Sequence, residues 1–137
     1  MSQNMQHRLA LSIVFLVLAA LTASDLFAGP HGWVKLGERR VTDRIDHDVI
    51  RVGADEGRFS RIQLRATGSQ VKVRNVKVVF ADGSTQEYSR NFTVRRGASS
   101  PALDLPGTRR VIKEVRFVYE ESSIRKRQAR VHLWGLR

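Results

Sequence analysis

The stretch RIQLRATGSQVKVRNVKVVFADGSTQEYSRNFTV, residues 61–94, decides the fold class. Ile62, Leu64 and Ala66 alternate with Arg61, Gln63 and Arg65, the period of two that sends successive side chains to opposite faces of a strand. One face is apolar and the other basic. Thr67-Gly68-Ser69 ends that pattern. Val71 and Val73 resume it, but the next apolar set is Val76, Val78 and Phe80. The phase has slipped by one residue, which predicts a bulge at Arg74-Asn75. Asp82-Gly83 follows, flanked by Val79-Phe80 on one side and by Tyr88, Phe92 and Val94 on the other. Asp-Gly supplies the positive φ angles of a tight hairpin.

Outward from this core the same period persists. The segment 95–101 carries Gly97, Ala98, two serines and Pro101 and reads as a loop before a short strand around Leu103 and Leu105. Pro106-Gly107 turns the chain again. Val111, Val115, Phe117 and Tyr119 share one parity, and Ala129, Val131 and Leu133 share another, with the polar run 120–128 between them. Trp33, Leu36 and residues 49–52 supply the first strands. No window of eleven or more residues after position 29 keeps helical spacing. Roughly seven or eight short strands at this spacing imply a single antiparallel β-sandwich over residues 29–137, jelly-roll-like or of related topology.

A chain of 137 residues holds one such domain. The absence of Cys excludes disulfides, thiolate metal sites, iron–sulfur clusters, thiol catalysis and a lipid-modified cysteine. Twenty-four Lys and Arg against thirteen Asp and Glu give a net charge of +11, which excludes an acidic tail and directs attention to anionic partners.

Residues 1–28 read as a secretory signal: Arg8 and the free amine are positive, residues 9–23 are apolar, and residues 24–28 are more polar. The apolar run is shorter than the roughly 20 residues that span a bilayer, which favours a cleaved signal over a permanent anchor. Cleavage is expected after Ala28, with Thr22-Ala23-Ser24 as a competing site. Removal of Arg8 and Asp25 leaves the charge of the exported part unchanged. The new terminus, Gly29-Pro30-His31, resembles a copper or nickel site, but Pro30 has no amide proton to lose and His31 is read as a linker residue.

Trp33-Val34-Lys35-Leu36-Gly37, Asp48-x-Ile50-x-Val52, the strand and turn at 78–83, Asp104-Leu105-x-Gly107-x-x-Arg110-x-Ile112-x-x-Val115-x-Phe117-x-Tyr119, and Ala129-x-Val131-x-Leu133-Trp134-Gly135 together resemble a family of short secreted bacterial proteins of unknown function. The resemblance covers nearly all of residues 29–137. It implies a compact exported β domain and brings no catalytic residue with it.

Asp43, Asp46, His47 and Asp48 form the densest group of oxygen and nitrogen ligands, the kind of cluster a hard cation takes from a loop. The spacing matches no complete calcium loop, and the plainer reading is a polar turn whose carboxylates cap backbone N–H groups or pair with Arg44 and Arg51. The same segment is the centre of the alternative reading, a hydrolase or metal-dependent enzyme with His47 as general base and a hydroxyl from Ser60, Ser69, Ser89, Ser99 or Ser100. Adjacent strand residues face opposite ways, so Asp46 would not orient His47. No nucleophile-elbow, zinc-protease, phosphate-loop or dinucleotide motif occurs, and no cofactor is expected. His132 and Trp134 share a face of the last strand and suggest a sugar platform, although core packing is the commoner fate of such a Trp.

The basic residues cluster at Arg39-Arg40, Arg95-Arg96, Arg109-Arg110 and Arg125-Lys126-Arg127. Compositional bias explains an Arg-rich chain without any function. Yet three of the four groups lie beside turns, and guanidinium suits phosphate and carboxylate. Export removes nucleic acid from the expected partners. The function expected is therefore non-catalytic: a secreted or periplasmic protein docking through Arg95, Arg96, Arg125, Lys126 and Arg127 onto an anionic envelope component or acidic protein, with at most peripheral membrane contact. A structural or stress-related domain is the remaining alternative.

Overall fold

The computed structural model describes residues 32–41, 47–120 and 129–137. The secretory segment, its cleavage site and the Gly29-Pro30-His31 terminus lie outside the described residues. Within them are ten strands: β1 Trp33–Arg40, β2 His47–Arg51, β3 Arg58–Phe59, β4 Arg61–Thr67, β5 Val71–Phe80, β6 Thr85–Tyr88, β7 Phe92–Val94, β8 Leu103–Asp104, β9 Arg110–Tyr119 and β10 Arg130–Leu136. A 3-10 turn at Ala54–Glu56 joins β2 to β3.

Two antiparallel sheets result, one ordered β1-β10-β4-β8 and the other β2-β9-β5-β6, with β3 on β9 and β7 on β5. Two pairs of short strands are continuous in function. β3 and β4 are one run that changes sheet at Ser60, and β6 and β7 are one interrupted edge along β5. Counted so, the orders are first–eighth–third–sixth facing second–seventh–fourth–fifth, the double Greek key of a jelly roll. The expected sandwich is present.

Apart from one slip in β5, every second residue of β4, β5 and β10 is buried as the period of two requires: Ile62, Leu64 and Ala66, then Val71 and Val73, then Val76, Val78 and Phe80, then Val131 and Leu133. The pairing of β5 with β9 shifts between Val73 and Asn75, where the apolar phase slips. A second shift, between Val79 and Phe80, was not expected. It places the extra residue, Lys113, in β9, so that Ile112 faces the core at 0% exposure while Val111, expected to share the parity of Val115, is only half-buried.

The hairpin after β5 also differs in detail. Gly83 has φ +87°, but no non-Gly residue among those described has positive φ, Asp82 included. Gly83 N–H donates to Phe80 O at 3.0 Å and Phe80 N–H to Ser84 O at 2.9 Å. This is a three-residue loop with a left-handed glycine at its end, not a two-residue turn with two positive φ values. Arg110 pins it: the guanidinium lies 4.0 Å from the Phe80 ring centroid and reaches Asp82 Oδ2 at 3.0 Å and Ser84 Oγ at 2.7 Å. A Cβ on Gly83 meets nothing within 4 Å, so only backbone strain opposes a side chain. Gly83→Val is therefore expected to lose about 1–3 kcal/mol in urea unfolding; an unchanged midpoint would show that the loop relaxes freely.

Connections alternate between the two ends of the sandwich. One end holds 68–70 and 95–102 together with the described residues at strand ends Val41, His47, Glu120 and Ala129; the other holds 52–57, 81–84 and 105–109. Backbone hydrogen bonds tie the anchors of the first end together, Val41 N–H to Ala129 O at 2.9 Å and Gly97 N–H to Ala66 O at 2.7 Å.

Candidate functional site

Strand parity settles what the outer face of the β1-β10-β4 sheet carries. Val131, Leu133 and Gly135 point inward, so His132, Trp134 and Leu136 point outward. Cross-strand pairing sets Trp33, Lys35 and Glu38 beside Leu136, Trp134 and His132 on one side. Arg61, Gln63 and Arg65 stand beside the same three on the other. Trp134 is thus not in the core, contrary to the reading favoured from sequence. Its strand partner at the core is Gly135, where a Cβ would come within 2.7 Å of the Phe59 ring.

His132 is held at both nitrogens, Nδ1 at 3.0 Å from Glu38 Oε2 and Nε2 at 2.8 Å from Thr67 Oγ1. A carboxylate only accepts, so the neutral ring carries its proton on Nδ1 and Nε2 accepts from the Thr67 hydroxyl. Hydroxyl, imidazole and carboxylate in this order can activate a nucleophile. Here the carboxylate is already engaged: Lys35 reaches Glu38 at 2.8 Å and Arg130 at 3.2 Å, and the Lys35 hydrogen bond holds its carboxyl below the usual range. Burial first, and then the charge of Lys35, depress the imidazole pKa against the pull of Glu38. With both ring nitrogens and the carboxylate engaged, the ladder braces the strands of this face against one another.

Depression of the His132 pKa has a stability consequence. The unfolded state binds the proton more readily, so stability is full above the ordinary histidine value of about 6.5 and declines as pH falls through it towards the lower folded value. Between about pH 7.5 and about pH 5.5 the melting temperature of the wild type is expected to fall by more than that of His132→Gln. Parallel profiles for the two proteins would contradict it.

Arg65 completes the face. Its guanidinium carbon lies 6.0 Å from the Trp134 ring centroid, at the outer limit of a cation–π contact. Arg65 Nε and Trp134 Nε1 are both covered and have no hydrogen-bond partner. Of the other cations there, Lys35 and Arg130 share Glu38 and Arg61 pairs with Asp104 at 2.7 Å.

The residues singled out from sequence fall in three groups. Arg95 and Arg96 are exposed, and Arg96 bridges to Ala66 at the end of β4. Asp43, Asp46, Arg125, Lys126 and Arg127 lie outside the described residues, but the segments that hold them start and finish at this same end, at Val41, His47, Glu120 and Ala129. Asp48 turns inward, opposite Phe117, where burial raises its pKa and Tyr119 and Arg39 lower it. The Tyr119 hydroxyl interacts with that carboxylate, though not at good hydrogen-bond geometry, and burial followed by the Asp48 charge raises its pKa. Asp48 and His47 face opposite ways, as adjacent strand residues do. Among the described residues no three His, Asp or Glu side chains converge on a metal position.

Four of the five serine hydroxyls have structural partners, and Ser99 is exposed and bridges to Arg65 through its backbone. Ser60 donates to Leu136 O and Ser69 to Gln70 O, Ser89 meets Asn75, and the buried Ser100 accepts from Leu64 N–H at 3.0 Å and donates to Pro101 O at 2.9 Å. Arg110 is committed to the hairpin and Arg39 donates to Val49 O. An open cleft of about 530 Å³ between β6 and β8 is lined by Glu87, Tyr88, Arg90 and Asp104 among others. Across it the Tyr88 hydroxyl donates to the Asp104 carbonyl and joins the two sheet edges, while Glu87 accepts from Asn75 within its own sheet.

With a Trp- and Arg-bearing sheet face on one side and a basic loop end beside it, the family described as Domain of unknown function (DUF2541) matches residues 10–135. The chain belongs to this family. The matched span takes in strands of both sheets. No curated protein shows significant similarity to it. Among solved structures, the chain is similar to the coat protein of Tobacco streak virus, at 14% identity and a TM-score of 0.34, over 80% of this chain and 90% of that one.

Proposed function

We propose that the chain works after export, as residues 29–137, as a non-catalytic protein that docks on an anionic component of the cell envelope. One observation carries the reading: Arg95 and Arg96 are exposed with no ion-pair partner among the described residues. They stand beside the end of β4, where Arg40 and Arg130 are paired across β1 and β10. Arg125, Lys126 and Arg127 belong to a connection anchored at the same end. A charge of +11 attracts anions over a Debye length of about 8 Å at physiological ionic strength, and unpaired guanidinium forks on loops suit phosphate. Among the described residues no helix is long and apolar enough to cross a membrane.

Sedimentation with phosphatidylglycerol vesicles tests this. The expected result is salt-sensitive binding that drops when Arg95 and Arg96 are changed together to Gln, and drops again with Arg125, Lys126 and Arg127. The control is Arg58→Gln with Arg109→Gln, two exposed arginines at the opposite end. Equal losses from both pairs would reduce the effect to bulk charge, and absence of binding at low salt removes the docking function.

A further inference from the structure

Both tryptophans of the chain, Trp33 and Trp134, lie on the outer face of the β1-β10-β4 sheet. Trp33 is directly opposite Leu136 and Trp134 is two residues before it, so the indoles are diagonal neighbours, about 7–8 Å apart at their backbones. Both are half-buried, and neither belongs to the buried cluster or to the residues packed against it. With Leu136 they form an apolar strip along one edge of an otherwise polar face. Apolar side chains grouped on a surface and rimmed by polar ones have the composition of an interaction site.

The rim is basic and braced. Arg65 is beside Trp134, Lys35 is opposite it and two residues from Trp33, and Gln63 faces it from β4. Arg65 is distinguished from the other cations around the indoles because, among the described residues, it has no carboxylate partner. The His132 ladder fixes the middle of the sheet on which these groups stand. An indole lying half-buried against its sheet presents a surface to stack on; it does not project far enough to insert between stacked bases or into a bilayer. Apolar surface joined to an unpaired planar cation at its edge fits a ring that is apolar on its face and carboxylated at its rim.

We infer that this sheet face is a binding site for a carboxylate-bearing polysaccharide, with Trp33 and Trp134 stacking on sugar faces and Arg65 holding a carboxylate. The choice of an extracellular polymer rests on the exported reading above; the site itself rests on the sheet. It adjoins the Arg95-Arg96 end, since Arg96 bridges Ala66 next to Arg65, but the two are separated by different measurements.

Because the two indoles are the only tryptophans in the chain, tryptophan emission reports this face without background. Titration of the purified protein with polygalacturonate is expected to give a saturable change in emission, absent with neutral dextran. Arg65→Gln is expected to weaken it about tenfold, as is Trp134→Ala read through Trp33, the size of one lost contact of this kind. Arg95→Gln with Arg96→Gln is expected to leave this titration nearly unchanged. Thermal melts accompany each variant, and if Trp134→Ala does not fold, Arg65→Gln and Trp33→Phe decide the matter. Polygalacturonate that sediments with the protein while the emission stays constant would place the polymer elsewhere and overturn the site. So would dextran sulfate matching polygalacturonate in affinity with no effect of Arg65→Gln. No binding of polygalacturonate at all also overturns it, while vesicle sedimentation separately decides the docking function.

Discussion

Phe59→Ala is expected to destabilise the domain by about 3–5 kcal/mol, a large share of the 5–15 kcal/mol that holds a domain of this size together. The ring is 0% exposed and sits where the chain crosses between sheets: β3 pairs with β9, and Ser60 N–H then donates to Leu136 O at 2.8 Å. On the β10 side its neighbour is Gly135, which has no side chain that could move into the space. Collapse around the cavity is therefore poor, and the loss belongs in the upper part of the range. Urea unfolding should show a lower midpoint with an unchanged slope. A loss below about 1 kcal/mol would mean that the two sheets close over the gap, and that Phe59 is not the joint between them.

Gly135→Val attacks the same contact from the other side. A Cβ there meets Phe59 Cδ1 at 2.7 Å and Leu36 Cδ1 at 2.8 Å, and a β-branched residue adds two further carbons. Overpacking of this kind is expected to cost about 3 kcal/mol, with displacement of the Phe59 ring. The two substitutions share one volume, so they should not add. Gly135→Val introduced into Phe59→Ala is expected to be much milder than in the wild type, with a coupling of at least about 1 kcal/mol in a double-mutant cycle. Additive losses would show that the strain at Gly135 falls on Leu36 and β1 instead.

Where a single strand's own pattern carried the information, the sequence was legible. Residues 61–80 have one buried face and a phase slip, and both appear in the structure because a slip in apolar phase can only be absorbed as an unpaired residue. The second slip was hidden because Val111 and Ile112 are both apolar, so either parity of β9 satisfied the pattern until the β5 partner chose one. Asp82-Gly83 announced a turn but not its length. Loop length depends on which residues of β5 and β6 pair, and that is set across the sheet by Val79 and Thr85.

The candidate site was legible only in its halves. Alternation along residues 129–135 put His132 and Trp134 on one face, yet whether that face was core or solvent required the partner sheet. Thr67 is 65 positions from His132, and Glu38 is on the strand at the other side. Neither has any local signature, since a threonine at a strand end and a glutamate among basic residues are ordinary. Clustering along the chain pointed instead to residues 43–48, where Asp48 proved to face inward. That Arg95 and Arg96 stand at the end where Val41, Glu120 and Ala129 lie followed from topology: alternate connections of an antiparallel sandwich share an end however far apart they lie in sequence.

β10 lies between β1 and β4, although it follows both of them in the chain by more than sixty residues. Trp33 and Arg61 both await Leu136, so neither of the longer strands of that sheet has its inner neighbour until residues 130–136 have left the ribosome. Pairings this distant along the chain belong to the slow end of single-domain folding, milliseconds to seconds. During synthesis the apolar faces of β1 and β4 are without the strand that joins them, and for that whole interval the chain stays an extended polymer, because the sandwich cannot close before its centre is supplied.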